Sequence, residues 1–265
     1  MPQVLIERDG PVLVVTLNRP KRMNAFTGTM LALLCDAWDE AAENDDIRCI
    51  VLTGAGGNFS SGADLRAMAG DSDEEDAIDT SGHAARDPEF MWRGFLKVRR
   101  PPKPIVAAVE GVAIAGGTET LLGTDIRVAG ESARFGVSEV RWSLYPMAGS
   151  AVRLGRQIGY TAAAEILLTG KHISAAEALR LGLVGHVVPD GQALDKAKEI
   201  AAQIGANGPL AVEAVLETLR GAPGMTEAEA FAWEYPRGQA VFATQDAKEG
   251  PRAFAEKRVP VFQRK

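Results

Sequence analysis

The sequence predicts an α/β fold built from repeated units of two strands and one helix. Three observations support this: alternating apolar runs typical of strands, apolar residues at helical spacing, and glycine or proline at the joins. The order strand, strand, helix, strand opens the chain and recurs from about residue 104. With 265 residues, 46% of them hydrophobic and 24% charged, the chain can bury a large core.

The first unit begins with a predicted hairpin. The runs VLIER and PVLVVTLN alternate and are separated by Asp9-Gly10, a pair typical of tight turns between antiparallel strands. The segment TMLALLCDAWDEAAEND then has apolar residues at helical spacing, with Thr27 or Thr29 as the expected N-terminal cap. RCIVLTG follows and predicts a buried strand that ends at a glycine.

The second part of the core repeats this order. PIVAAVEG and VAI predict two strands, a helix is expected to begin near Gly116, and DIRVAG and ARFG predict two more strands. From about Met147 onward the pattern predicts mostly helices, with GLVGHVV as the only strand among them. Pro236 is expected to kink or divide one of the late helices.

A change in composition near Pro189-Asp190-Gly191 predicts two regions. We expect an α/β core over residues 1–190 and a helical C-terminal region over residues 191–265. Within the core, AGDSDEEDAIDTSGHAARD crowds carboxylates together between Gly70 and Asp87. This composition predicts a mobile surface loop that could act as a lid, and it favours no ordered cation site.

Charge and chain ends exclude several classes of function. The net charge is −6 and the basic residues are scattered, which argues against a nucleic-acid or anionic-membrane partner and favours a small-molecule substrate. The N-terminal residues MPQVLIERDG do not form a secretory signal, and no apolar run is long enough to span a membrane. We therefore expect a cytoplasmic protein.

The cysteines and histidines suggest no metal centre. Cys35 and Cys49 lie in apolar segments without a CxxC pattern, so we expect reduced thiols in the core. The three histidines lack the spacing of metal ligands. They are expected on the surface or at strand ends, at His83, His172 and His186.

Two glycine-rich turns are the first candidates for chemistry. The segment GAGGNFSSGAD lacks the Gly-Lys-Ser/Thr ending of a phosphate loop and breaks the dinucleotide pattern at Phe59. No serine lies in a GxSxG sequence. What remains are exposed backbone amides at Ser61–Asp64 and at Ala115–Gly117, each before a predicted helix. If the two turns converge, their N–H groups form an oxyanion hole.

Two glutamates are the candidate acid–base groups. Glu119 lies among small apolar residues and glycines, in the first turn of the helix expected to begin at Gly116. Capping of that helix is the alternative explanation for it. Glu139 follows the strand-like segment ARFG. Paired carboxylates at one site are suited to moving protons at a carbon next to a carbonyl.

At these residues the chain resembles a known family. SSGAD, AVEGVAIAGGTE and ARFGVSE, in this order, are similar to the motifs of the enoyl-CoA hydratase/isomerase (crotonase) superfamily. The resemblance runs from LNRPKRMNAF to AFAEKR, nearly the whole chain. It implies a crotonase-like spiral of ββα units, C-terminal helices that assemble homotrimers or dimers of trimers, and an acyl-CoA substrate. It implies no cofactor beyond the coenzyme A of that substrate, and no metal.

The resemblance also implies roles for individual residues. The amides of Ala63 and Gly116 match those that bind the thioester oxygen, and Glu119 and Glu139 match the two glutamates that hydratases use together. Phe254 and Lys257 match positions that contact the CoA of a neighbouring subunit. The full set of candidate substrate contacts is Arg22, Ala25, Asp64, Leu65, Trp142, Met147, Phe254 and Lys257. For Arg22, a solvated surface position is an equal alternative.

One segment departs from the family pattern. Where hydratases commonly have glycine after the proline, YPMAGS places Met147, close to Trp142 and Tyr145. This version resembles an actinobacterial branch, some members of which act on bulky steroid-derived acyl-CoAs. The three side chains are expected either to line a wide acyl pocket or simply to pack the core.

The resemblance leaves three functions to compare. Hydration of a 2-enoyl-CoA to a 3-hydroxyacyl-CoA is favoured, because both glutamates are present. The alternatives are a Δ3,Δ2-enoyl-CoA isomerase, which needs one glutamate, and a non-catalytic scaffold or RNA-binding member. The intact motifs and the acidic charge argue against the last.

Overall fold

The computed structural model describes residues 1–64 and 77–265, and these residues form nine strands and eleven helices. The strands are β1 (Val4–Asp9), β2 (Val12–Leu17), β3 (Cys49–Gly54), β4 (Ile105–Val109), β5 (Val112–Ile114), β6 (Ile126–Gly130), β7 (Arg134–Gly136), β8 (His172–Ser174) and β9 (His186–Val188). The helices are α1 (Gly28–Glu43), α2 (Ser81–Arg86), α3 (Phe90–Gly94), α4 (Gly116–Leu121), α5 (Ser150–Ile158), α6 (Tyr160–Thr169), α7 (Ala175–Leu181), α8 (Ala193–Gly205), α9 (Pro209–Gly221), α10 (Glu227–Phe242) and α11 (Asp246–Ala255).

The strands form two sheets. The larger has the order β1-β2-β3-β4-β6-β9, antiparallel between β1 and β2 and parallel elsewhere. The smaller has the order β5-β7-β8, with β5 and β7 parallel. The pairs β4–β5 and β6–β7 each place one strand in the larger sheet and the next in the smaller, and α4 follows the first pair. This is the expected architecture of repeated ββα units.

Both faces of the larger sheet are covered. Along β2, Leu13 and Val15 belong to the core cluster under α1, whereas Val12 and Val14 belong to the cluster under α8. A strand with both faces buried gains from an apolar residue at every position, because each side chain leaves water. This explains the apolar sequence VLVV in β2 and the full burial of β4.

The first predicted elements are confirmed. The hairpin pairs from Val4 with Leu17 to Asp9 with Val12. Thr27, and not Thr29, caps α1: its hydroxyl oxygen accepts a hydrogen bond from the Met30 amide at 3.1 Å, which satisfies a donor that the first helical turn leaves free.

The prediction that GLVGHVV is the only strand after Met147 is wrong. Its final residues form β9, but His172–Ser174 also forms a strand, β8, which pairs antiparallel with β7. Three residues are too few to show alternation, so the pairing partner decides this conformation. His172 and His186 are the first residues of these two strands, which confirms their expected positions at strand ends.

Pro236 does not divide a helix. Helix α10 continues from Glu227 to Phe242 with Pro236 inside it. Proline removes the hydrogen bond to the carbonyl four residues earlier, at Ala232. Both residues are exposed, so water can satisfy that carbonyl.

Residues 70–76 of the acidic segment lie outside the described residues, and the loop prediction is wrong for part of the remainder. Ser81–Arg86 forms α2, and His83 Nε2 lies 3.0 Å from Asp36 Oδ1 on α1. The segment is therefore anchored to the core at this point. The predictions of a lid and of no ordered cation site fall largely on residues 65–76, which lie outside the described residues.

Both cysteines are free and buried, as expected. Desolvation raises the pKa of Cys35 to about 11 and that of Cys49 to about 12, so both remain protonated, unreactive thiols near neutral pH. No helix in the described parts of the chain is long and apolar enough to cross a membrane.

The predicted boundary at residue 190 stays a prediction. Helix α8 lies just beyond it, yet Ala193, Ala197 and Ile200 pack on the larger sheet. By its contacts this helix completes the α/β core. The helices that follow, α9 to α11, bury few side chains in the chain itself.

Candidate active site

Parallel pairing brings three chain segments together at one end of the smaller sheet. Ser60 forms a parallel bridge with Ala113 of β5, and β5 pairs with β7 up to Ile114 opposite Gly136. Because the three segments run in the same direction, the residues that follow them emerge side by side. These residues include the turn at Gly62–Ala63, the start of α4 and Glu139.

The Ala63 and Gly116 amides are close and free to bind a ligand. A Cβ placed on Gly116 would lie 3.6 Å from the Ala63 nitrogen. Neither amide donates a hydrogen bond to another residue in the described ranges. The neighbouring bonds from the Phe26 amide to the Gly62 carbonyl, and from the Asp64 amide to the Phe26 carbonyl, fix the Ala63 peptide. Two adjacent donors of this kind are suited to a negatively charged oxygen.

The turns need small residues. Gly62 has φ +96°, and a Cβ there would lie 2.7 Å from the Ala115 side chain and 3.0 Å from the Gly116 nitrogen. Ala115 itself has φ +53°, an unfavourable conformation for a residue with a side chain. A 2.7 Å hydrogen bond from its amide to the Gly136 carbonyl holds it there. The start of α4 is therefore fixed by the smaller sheet.

Glu119 is buried and held by a different helix from its own. Only 3% of its surface is exposed, and it lies in the first turn of α4 as expected. Its Oε1 accepts hydrogen bonds from the amide and the hydroxyl of Ser150, both at 3.0 Å. Ser150 is the first residue of α5, so the Glu119 carboxylate caps α5, and the capping explanation is wrong for α4.

The carboxyl of Glu139, unlike that of Glu119, is not held by hydrogen bonds from another helix among the described residues. This residue begins a short 3₁₀ turn, Glu139–Trp142, and its Oε2 is buried without a hydrogen-bond partner in the described part of the chain. Desolvation, reinforced by the negative charge of Glu119, raises the pKa of Glu139 to about 7, against the opposing effect of nearby backbone amides. A carboxyl with this pKa can give or take a proton near neutral pH.

The segment after Glu139 is exposed, so the core-packing alternative for its aromatic and methionine residues is wrong. Trp142 is 70% exposed, Tyr145 66% and Met147 51%. The backbone is nevertheless tethered: the Lys97 ammonium donates to the Met147 carbonyl at 2.7 Å and lies 4.7 Å from the centre of the Trp92 ring. The segment therefore presents exposed apolar side chains soon after Glu139 in the chain.

Two of the predicted substrate contacts have structural partners. Asp64 forms an ion pair with Arg19 at 3.0 Å, and Arg19 also donates to the Ala25 carbonyl at 2.6 Å. Arg19 thereby joins the loop before α1 to the turn that carries Ala63. A direct role of Asp64 and Ala25 in substrate binding stays a prediction.

The other predicted contacts are scattered. Arg22 is half-buried, and its backbone carbonyl accepts a 3.4 Å hydrogen bond from the Ser61 hydroxyl, which links its loop to the turn that carries Ala63. A role of its side chain in substrate binding stays a prediction. Leu65 lies outside the described residues. Phe254, 85% exposed, and Lys257 lie at the end of α11, and no hydrogen bond in the described ranges links them to the site.

Sequence reasoning missed three residues that support the site: Arg19, Asn24 and Ser150. Asn24 is buried with φ +53° and donates to the carbonyls of Ala55 and Asn58. The sequence could have indicated Asn24, because asparagine adopts a positive φ more readily than most residues with a side chain. Nothing in the sequence pairs Ser150 with a glutamate 31 residues earlier.

Comparisons with known proteins agree on one family. The family model described as enoyl-CoA hydratase/isomerase matches residues 7–265. Enoyl-CoA hydratase EchA19 of Mycobacterium tuberculosis is 56% identical over 266 residues, covering 99% of this chain and 97% of that protein. Crystal structures of enoyl-CoA hydratase EchA1 from Mycobacterium marinum and of an enoyl-CoA hydratase from Mycobacterium tuberculosis are each 38% identical. Their TM-scores are 0.90 and 0.89, with full coverage of both chains in each comparison.

Proposed function

This chain belongs to the enoyl-CoA hydratase/isomerase family and is an enoyl-CoA hydratase, and we propose that its active site consists of the Ala63 and Gly116 amides with Glu119 and Glu139. The observation that carries this proposal is that two backbone amides and two carboxyl groups follow segments that end together at one edge of the smaller sheet. Two amides without acceptors lie beside one fixed carboxylate and one carboxyl of raised pKa. This set supplies what addition of water to a conjugated thioester requires.

The two amides bind the thioester oxygen. When water adds at C3 of a 2-enoyl thioester, negative charge develops on the carbonyl oxygen. Donors already in place stabilise that charge without reorganising, by about 3 kcal/mol each. Hydrogen bonds hold both turns in position before substrate arrives, so this contribution is available at the start of the reaction.

The two glutamates divide the proton transfers. Glu119 accepts a proton from water as its oxygen attacks C3, and Glu139 gives a proton to C2, so that one water is added in total. The raised pKa of Glu139 supports its role as the acid, because part of the population is protonated near pH 7. The proton left on Glu119 passes to Glu139 or to solvent before the next turnover. The reaction transfers no electrons to an acceptor, so it calls for no redox cofactor.

The isomerase alternative is not favoured. Shuttling a proton between C2 and C4 requires one glutamate, whereas the proposed site has two. The deciding experiment supplies the purified protein with matched 2-enoyl and 3-enoyl thioesters of the same length. We expect rapid formation of the 3-hydroxyacyl product from the 2-enoyl thioester alone. Faster conversion of the 3-enoyl to the 2-enoyl thioester would overturn the proposal, and turnover of neither would favour a non-catalytic role.

We propose that the acyl group lies against Trp142, Tyr145 and Met147. Their exposure next to Glu139 supports this, because apolar side chains in water gain by contact with an apolar acyl chain. An exposed apolar surface suits a bulky acyl group better than a narrow channel does. Turnover of short, long, aromatic and polycyclic 2-enoyl-CoAs should therefore be highest for a bulky substrate.

We propose further that the active enzyme is a homotrimer or a dimer of trimers in the cytoplasm. The C-terminal helices support assembly because they expose large apolar side chains that burial would stabilise. These are Val215, Leu219, Phe231, Tyr235, Phe242 and Phe254. The two free thiols support a reducing compartment.

Assembly and CoA binding can be tested together. If Lys257 contacts the CoA phosphates in a neighbouring subunit, Lys257→Ala should raise KM severalfold with little change in kcat. Lys248, which lies within α11, provides a control in Lys248→Ala. An active monomer in sedimentation would contradict the shared site, and an unchanged KM in Lys257→Ala would exclude that residue.

A further inference from the structure

Ser150 is fully buried and directs both of its donors at one atom. The amide and the hydroxyl each lie 3.0 Å from Oε1 of Glu119. The residue before it, Gly149, has φ +114°, which turns the chain into α5 at this point. The Ser150 amide is thus one of the free donors of a helix N-terminus, and it meets a carboxylate from a distant part of the chain.

A serine at the N-cap position usually bonds to the backbone of its own helix. In α5 the N-cap residue is Gly149, which has no side chain to do so, and Ser150 is the first helical residue. The Ser150 hydroxyl instead reaches α4, so the two helices are joined through the carboxylate. No residue in the described ranges donates to the other oxygen, Oε2 of Glu119. One oxygen is therefore occupied twice, and the other remains available.

This arrangement has a consequence for proton transfer. A carboxylate with both oxygens free rotates among several orientations, and only some of them direct a lone pair at the reacting water. Two donors on Oε1 remove that freedom before substrate binds. We propose that Ser150 is a positioning residue for the hydration reaction: its hydroxyl and amide fix Oε1 of Glu119 so that Oε2 takes the proton from water. This inference rests on the proposed role of Glu119.

Glu139 provides the internal contrast. Its Oε2 has no partner, and its carboxyl lies on a short 3₁₀ turn. In the proposed mechanism Glu139 gives its proton to C2 and must then be protonated again, whereas Glu119 accepts a proton from water. The hydroxyl of Ser150 therefore acts on only one of the two glutamates.

The test compares Ser150→Ala, which removes the hydroxyl and keeps the amide, with the unaltered enzyme on crotonyl-CoA. A hydrogen bond to a charged group corresponds to roughly a tenfold to hundredfold change in rate. We expect kcat to fall by that factor while KM changes by less than about twofold. Active-site concentration is measured in each preparation by binding of a saturated acyl-CoA, so loss of folded protein does not lower the apparent kcat.

Thr53→Val is the matched control. The Thr53 hydroxyl is buried and donates to the backbone carbonyl of Ala108 at 3.1 Å, with no glutamate involved. Its loss should lower the thermal midpoint without lowering kcat. Ser150→Cys keeps nearly the same volume with a weak donor, and it serves if Ser150→Ala does not fold. We expect it to show the same loss of kcat.

A double substitution separates positioning from a purely structural effect. In a Glu119→Gln background, adding Ser150→Ala should cause no further loss of kcat, because both changes disable the same group. Independent, multiplying losses would overturn the inference. If Ser150→Ala has wild-type kcat while Glu119→Gln is impaired, only the positioning role of Ser150 is overturned. If Glu119→Gln is fully active, the proposed role of Glu119 is overturned as well.

Discussion

The two halves of the proposed site, α4 with Glu119 and the 3₁₀ turn with Glu139, differ in burial and in hydrogen bonding. In α4 every residue is buried, and hydrogen bonds fix its start, its carboxylate and its end. In the 3₁₀ turn that begins at Glu139 no residue is buried, and the apolar side chains that follow are mostly exposed. The groups proposed to stabilise developing charge are therefore buried and hydrogen-bonded, and those proposed to contact the acyl chain are exposed.

The difference between the two halves has a physical cause. The end of α4 is held by Arg127, whose buried guanidinium donates to the carbonyls of Leu121 at 2.7 Å and Thr124 at 3.0 Å. Rigid donors stabilise a transition state best, because they need no reorganisation. The exposed half has an apolar surface with little of this chain packed on it, which leaves room for substrate or a neighbouring subunit.

The largest expected effect tests the rigid half. Gly116→Pro removes one oxyanion donor and forces Ala115, already at φ +53° and ψ −126°, into a further restricted conformation. We expect hydration to be abolished in a steady-state assay. Gly116→Ala keeps the amide, although its Cβ would lie 3.2 Å from the Phe95 ring, and should retain more activity. A folded, active proline variant would place the oxyanion hole elsewhere.

The next effect compares the glutamates directly. Glu119→Gln and Glu139→Gln should each lower kcat by about 100-fold or more, because each removes an acid–base group. Binding of CoA esters, measured by calorimetry, should survive in both. Near-normal hydration by either variant would remove that residue from the mechanism and leave the chemistry to one half of the site.

The pH dependence of kcat/KM tests Glu139, in the exposed half of the proposed site. If Glu139 gives a proton to C2, as proposed, its protonated form is the active one, and its pKa is raised to about 7. We expect kcat/KM for hydration to fall as pH rises above about 7, approaching tenfold per unit. In Glu139→Gln this descending limb should disappear from the residual activity. A wild-type profile that stays flat to pH 9 would contradict the assignment of Glu139 as the acid.

The smallest expected effect concerns selectivity. Because Met147 is half-exposed, Met147→Gly leaves no cavity in the core. It should instead shift the ratio of kcat/KM between crotonyl-CoA and a bulky enoyl-CoA by at least roughly tenfold, since small changes in an apolar pocket are worth about 1–3 kcal/mol. Val152→Ala, an exposed apolar change on α5, is the control. An unchanged ratio would show that Met147 does not contact the acyl group.

Local signals in the sequence determined most of the fold. The hairpin around Asp9-Gly10, the capped helix α1 and the apolar strands β3 and β4 each carry enough pattern to be identified alone. The family motifs also indicated Ala63, Gly116, Glu119 and Glu139 as site residues. Short elements escaped prediction: β8 and α2 have too few residues for periodicity, and contacts with β7 and with Asp36 decide them.

Only the tertiary structure decided the state of the site. The raised pKa of Glu139 comes from burial and from the charge of Glu119, and the double contact of Ser150 joins two helices from separate parts of the chain. Exposure of Met147, which the sequence left open, also depends on what packs beside it. Hydrophobic pattern and capping act over a few residues and can be identified along the chain. Desolvation, charge and hydrogen bonding across space depend on distances that only the folded chain sets.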